Sequence, residues 1–172
     1  HDPDAGRPQG LYGNRFAAAS AEVVCRATVR LDRPTISNII AMASLPGGRG
    51  LYAPEEVRYL LSTASSGFRA AVLESHRQCG RAAPVVVHTG FWGCGAFGGN
   101  RVLMALIQIL AAGAAGLARL VFHTGDATGE VAFAQARAVL EDELSRLSHL
   151  STEALVERLV AFGFAWGISD GN

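Results

Sequence analysis

Two apolar runs flank a glycine-studded stretch, and this pattern organises the chain. Pro84 precedes Val85-Val86-Val87-His88, a short β-branched run that predicts an interior strand. Beyond Gly90–Gly99, the residues from about Asn100 to Gly113 are apolar almost all round, which predicts a buried helix. Leu117–His123 reads as the next strand, ended by Gly125-Asp126. Strand, glycine loop, helix and strand make a βαβ unit, the crossover that parallel strands require. Ligands bind such units at the carboxyl ends of the strands.

The flanks are less regular. Phe16–Leu31 fits a short helix, a strand, or one of each. Ile36–Ser44 contains Ile39-Ile40-Ala41-Met42, read as a buried strand, and Pro46-Gly47-Gly48 marks a turn. Pro54 starts a helix with Glu55 and Glu56 in its first turn, where the helix dipole favours negative charge. That helix is expected to run to about Glu74, with Gly67 weakening its middle. Glu130–Leu150 is a long amphipathic pattern, in which Glu141-Asp142-Glu143 reads as a solvated face. Ser151 or Thr152 can cap a last helix ending near Gly163, which Trp166 is expected to staple to the core. Residues 1–15 read as a flexible segment and residues 16–172 as a single α/β domain.

Composition narrows the partners. Of the 172 residues, 49% are hydrophobic and 17% charged, which supports a sizeable core and argues against long disorder. The formal net charge is zero and every basic residue is Arg, without a cluster, so neither nucleic acid nor a membrane surface is an expected partner. The apolar run Val102–Ala112 is too short to span a bilayer and is interrupted by Gln108. Cys25, Cys79 and Cys94 are odd in number and widely spaced, which suggests neither a disulfide framework nor a zinc site. The expectation is a reducing, cytoplasmic setting, with no metal and no cofactor.

The glycine loop carries the chemistry. Gly90, Gly93, Gly95, Gly98 and Gly99 let backbone N–H groups converge, and the helix behind adds unpaired donors and a partial positive charge. Together these suit a phosphate or diphosphate. No Lys of the Walker type follows, and the Rossmann spacing fits poorly. Phe91, Trp92 and Phe97 among the glycines suggest a ribose or base lying against a ring. The competing reading is a turn whose glycines only permit tight strand–helix packing. Cys94 lies where a thiol pKa can fall, so a Cys–His pair with His88 or His123 is conceivable; a small buried residue is the favoured reading. His88 and His123 end two strands that should be neighbours, either facing the cleft or as plain strand-end residues.

The stretch His88-Thr89-Gly90-Phe91-Trp92-Gly93-Cys94-Gly95-Ala96-Phe97-Gly98-Gly99-Asn100 resembles the diphosphate loop of the poly(ADP-ribose) glycohydrolases, TGNWGCGAFGGD. Leu103–Ala112 resembles that family's next helix, LKALIQLLAA. Weaker similarity covers Ile36 to Phe162, including Ile39–Ala43, Pro54–Arg58 and Gly125-Asp126. The resemblance implies a macrodomain-like α/β fold, a mixed sheet flanked by helices, truncated or rebuilt here. It implies ADP-ribose or an ADP-ribosylated substrate as ligand. The backbone of Gly93, Cys94, Gly95, Ala96, Phe97 and Gly98 would hold the diphosphate. Phe97 would pack on the ribose beside the scissile bond, and Phe91, Trp92, His123 and Asp126 would border the pocket.

The chain also departs from that pattern. No Gln-Glu-Glu follows a triple glycine, and Glu55-Glu56 is not its equivalent, so the catalytic acid is unassigned. Asn100 stands where the family has Asp, Phe91 where it has Asn, and Ala43 where it has Asp. The strand Leu120–Thr124 lacks a second Phe toward the adenine. Three readings stay open: a divergent glycosidase acting at the anomeric ribose carbon, a subunit completed by a partner chain that supplies glutamates, and a non-catalytic ADP-ribose reader or structural subunit. A bulky residue at Gly95, as in Gly95→Val, is expected to abolish nucleotide binding without unfolding the domain.

Overall fold

A computed structural model describes residues 11, 16–28, 30, 32–33, 37–147 and 150–170. Apart from Leu11, the segment 1–15 expected to be flexible lies outside the described residues. The helices are α1 (Ala21–Ala27), α2 (Pro54–Cys79), α3 (Arg101–Ala115), α4 (Ala127–Leu147) and α5 (Thr152–Ala161). The strands are β1 (Val86–Thr89) and β2 (Arg119–Phe122).

The expected βαβ unit is present. β1 and β2 pair in parallel, with Val86 opposite Arg119 and Thr89 opposite Phe122. Helix α3 crosses between them, and its Leu103, Met104, Ala105, Leu106 and Ile107 are all buried. Burying each of the large side chains among them stabilises the fold by about 1.5–3 kcal/mol. Val87 is buried, whereas Val86 and His88 on the opposite face of the strand are exposed. The period-two alternation of the strand therefore sets one covered face and one open one.

Helix α2 packs on α3 through a stripe at helical spacing: Val57, Leu60, Leu61, Ala64, Phe68 and Val72. Helix α4 packs on the other flank of α3, and α5 packs on α2. Pro54 opens α2, and Glu56 caps it by accepting the Ala53 N–H at 2.8 Å. The helix continues past the expected end at Glu74. There Glu74 accepts from Arg77 at 2.6 and 2.7 Å and from Gln78 at 2.6 Å, which stitches the last turn together. Arg77 and Gln78 hold the Glu74 carboxyl well below the usual range, at about 2. Ser151 caps α5 as expected, accepting from the Ala154 N–H at 3.2 Å.

One expected element is corrected. The segment Ile39–Met42 forms no strand, and Ile39 is 84% exposed. Its position is set instead by side chains. Met42 lies directly over Gly67 of α2, where a Cβ would meet its sulfur, and the Met42 carbonyl accepts the Trp92 indole N–H at 3.1 Å. The Gly67 that weakens α2 by propensity is thus the residue that lets this segment approach.

The expected staple at Trp166 is found. Its ring stacks on Tyr52 at 4.4 Å between centroids and 15° between planes. Leu51 and Ala165 form an isolated antiparallel bridge, flanked by Tyr52 N–H to Phe164 O at 3.0 Å and Trp166 N–H to Gly50 O at 2.8 Å. No helix among the described residues is long and apolar enough to cross a membrane.

Candidate functional site

The glycine loop leaves the end of β1 as a series of tight turns. Trp92 N–H donates to Gly90 O at 2.8 Å, Cys94 N–H to Phe91 O at 3.1 Å, Gly98 N–H to Gly95 O at 3.0 Å and Gly99 N–H to Gly93 O at 2.9 Å. Two glycines are needed for specific reasons. Gly93 has φ +75° and sits against the Ser44 side chain with no room for a Cβ. Gly98 has φ +63°, and a Cβ there would lie 2.8 Å from the Ser169 backbone nitrogen. The N–H groups of Gly95, Ala96 and Phe97 meet no acceptor among the described residues. Three consecutive free donors just before a helix N-terminus are what an anion requires.

Gln108 fixes where this loop begins. It is fully buried in α3, donates to Gly90 O at 2.9 Å and Met104 O at 3.1 Å, and accepts from Thr89 Oγ1 at 2.5 Å. A polar residue in an otherwise apolar helix is thereby satisfied, and it couples helix to loop.

Asn100 fixes where the loop ends. Its Oδ1 caps α3 by accepting the Leu103 N–H at 3.0 Å, its Nδ2 donates to Ala165 O at 2.8 Å, and its own N–H donates to Tyr52 Oη at 3.0 Å. Burial pushes the Tyr52 phenol up to about 12, against the opposing pull of the Asn100 N–H. The segment Ala165–Asp170 then straps the loop. Gly167 N–H donates to Gly98 O at 2.8 Å, Ser169 Oγ to Ala96 O at 2.7 Å and Asp170 N–H to Gly95 O at 3.3 Å.

A cleft of about 540 Å³ opens between loop, strap and helix starts, lined among others by Phe91, Cys94, Gly95, Arg101, Thr128 and Asp170. Phe91 is held by an edge-on contact with Phe122 at 5.0 Å, and Phe122 stacks on Phe133 of α4 at 4.7 Å. The Arg101 guanidinium lies 5.3 Å from the Phe91 ring centroid. Asp126 stands at the start of α4, accepting from Thr128 Oγ1 at 2.6 Å and from the Gly129 N–H at 2.8 Å. The Thr128 hydroxyl first, then the Gly129 N–H, hold its carboxyl below the usual range.

The structure brings Phe91, Cys94 and Gly95 onto the cleft. Gly93, Ala96 and Gly98 shape the loop, and Phe97 is 45% exposed beside them. Trp92 turns away to hold Met42. His123 pairs with His88 across the strands, its Nε2 3.0 Å from His88 Nδ1, as neighbouring strand ends should. Cys94 points its sulfur toward Trp92 O at 3.7 Å, and burial pushes its thiol up to about 12, the opposite of an activated nucleophile. No group of three metal-ligating side chains occurs among the described residues. Arg101, Gln108 and the strap are site residues that sequence reasoning passed over. Gln108 carried a signal, as the polar side chain in the apolar run Val102–Ala112. Arg101 carried only its place after the loop.

Residues 11–130, well over half of the chain, match the family described as poly(ADP-ribose) glycohydrolase, macro domain fold. This span contains β1, the glycine loop, α3 and β2 in the order found here. The chain therefore belongs to the poly(ADP-ribose) glycohydrolase family, with that family's α/β macrodomain-like fold.

Proposed function

We propose that this chain recognises ADP-ribose or an ADP-ribosyl group, with the diphosphate on the backbone of Gly93–Gly98. The observation that carries this is the run of free N–H groups at Gly95, Ala96 and Phe97, next to the α3 N-terminus and the cleft. Family membership supports the ligand class. In this reading Phe97, exposed beside the loop, meets the ribose, and Phe91 forms the cleft wall, with Asp126 hydrogen-bonded to Thr128 of the lining beside it. The three thiols, unpaired in the structure, suit a reducing intracellular setting.

Hydrolysis of an ADP-ribosyl O-glycosidic linkage needs a carboxylic acid with a raised pKa to protonate the leaving oxygen. At the cleft, Asp126 has the opposite shift, because hydrogen bonds stabilise its charged form. This observation removes Asp126 as that acid and leaves Asp170 as the carboxylate lining the cleft; the second reading is a non-catalytic reader or regulatory subunit, or a subunit whose catalytic glutamates come from a partner chain.

Calorimetric titration with ADP-ribose, with AMP as control, tests the binding. Micromolar affinity or better is expected, abolished by Gly95→Val with the circular dichroism spectrum unchanged. No binding by the unaltered chain would sink the proposal. Release of ADP-ribose from poly(ADP-ribose), assayed on the purified chain alone, then separates enzyme from reader.

A further inference from the structure

Arg101 is the basic side chain lining the cleft, and its setting gives it more than a structural role. It is the first residue of α3, so its charge adds to the helix N-terminus behind the loop. One nitrogen, Nη1, is engaged: it donates to Thr128 Oγ1 at 2.7 Å and lies 3.5 Å from Asp126 Oδ1. The N–H groups on Nε and Nη2 meet no acceptor among the described residues. The guanidinium lies over the Phe91 ring, and the side chain, which lines the cleft, is 40% exposed. An arginine held from one side, with its remaining donors free, is pre-organised to receive an anion.

Resting on the ADP-ribose reading above, we infer that Arg101 is the positioning residue that makes the cleft prefer a diphosphate to a monophosphate. Gly95, which carries one of the three free N–H groups, lines the same 540 Å³ cavity as the guanidinium, so a phosphate seated there shares it. The loop alone neutralises one phosphate by dipoles; the second phosphate has Arg101. Asp126 competes for the same guanidinium, and Asp170 lines the cavity as a further carboxylate, so both limit the net positive charge there. Phe91 is part of this device, since an aromatic ring there keeps the arginine from folding away.

ADP and AMP are the probes, because they share base and ribose and differ by one phosphate. Titrations compare the full chain with Arg101→Gln and Arg101→Lys, each checked by thermal unfolding. The unaltered chain is expected to bind ADP more tightly than AMP. Arg101→Gln is expected to reduce that ratio roughly tenfold or more. Arg101→Lys is expected to restore part of it, because it keeps the charge without the planar fork. An unchanged ADP-to-AMP ratio in Arg101→Gln overturns the inference, including the case where only the unfolding midpoint falls, since that shows Arg101 merely bridging α3 and α4. Binding of ADP-ribose by both the unaltered chain and Arg101→Gln, at equal affinity, would leave the ligand assignment intact and remove Arg101 from it. Absence of ADP-ribose binding by the unaltered chain would instead overturn the ligand assignment itself.

Discussion

The Asn100 side chain donates a 2.8 Å hydrogen bond to the Ala165 carbonyl, joining the start of α3 to the segment that straps the glycine loop. The same side chain caps the helix through its oxygen. Where the family pattern has Asp, this chain has the one close isostere that both accepts and donates. Asn100→Asp keeps the cap and sets an anionic oxygen against the Ala165 carbonyl. The expected cost is about 1 kcal/mol, read as a lower midpoint in urea. Faster amide exchange at Trp166 and Gly167 is expected alongside it. A variant of equal or greater stability would show that the contact contributes nothing.

Gln108→Leu tests the helix-to-loop link. The substitution preserves approximate volume but strands the Gly90 carbonyl and the Thr89 hydroxyl. Each orphaned group costs about 1–3 kcal/mol. Destabilisation of that order by chemical denaturation is expected, with weaker nucleotide binding in whatever fraction stays folded. A neutral effect would mean that water replaces the amide without penalty.

Gly98→Ala combines two faults. The positive φ of +63° costs an L-residue about 1–2 kcal/mol, and the new Cβ meets the Ser169 backbone nitrogen. The strap is expected to lift, so proteolysis near Ile168, already 93% exposed, should accelerate. An unchanged cleavage rate in a folded variant would refute the strap's dependence on this glycine.

Alkaline pH is expected to weaken the fold through two buried acids. Burial raises Cys94 from 9.0 to about 12 and, more than its Asn100 contact opposes, Tyr52 from 10.0 to about 12. Each group is raised in the folded state, so its contribution is fully present below the unfolded value. It is lost as pH climbs from about 9 toward 12. Unfolding midpoints should be level near neutrality and fall above pH 9. In the same range a thiol reagent should label the exposed Cys25 and Cys79 rapidly, and Cys94 only after denaturation. Equal labelling of all three thiols in the native state would contradict the burial of Cys94.

The central unit was legible because its signals are local. A β-branched run, a glycine cluster and an all-apolar helix each constrain their own backbone. The loop's resemblance to a family motif rests on that same stretch. What escaped is what depends on distant partners. Ile39–Met42 has a strand's composition, but Gly67 and Trp92 fix its place from elsewhere in the chain. Arg101 looks like any first-turn residue until α4 brings Thr128 and Asp126 to it. Phe91 looks like a loss of polarity until Phe122 and Phe133 are seen behind it.

The strap gives the molecule a timetable. Its contacts span 65 residues from Asn100 to Ala165, 73 from Ala96 to Ser169 and 110 from Glu56 to Trp166. Closing such distances costs chain entropy before any contact repays it, whereas α2 and α3 can form from neighbours alone. The helices are therefore expected to precede the finished loop, whose final conformation waits on these long-range contacts.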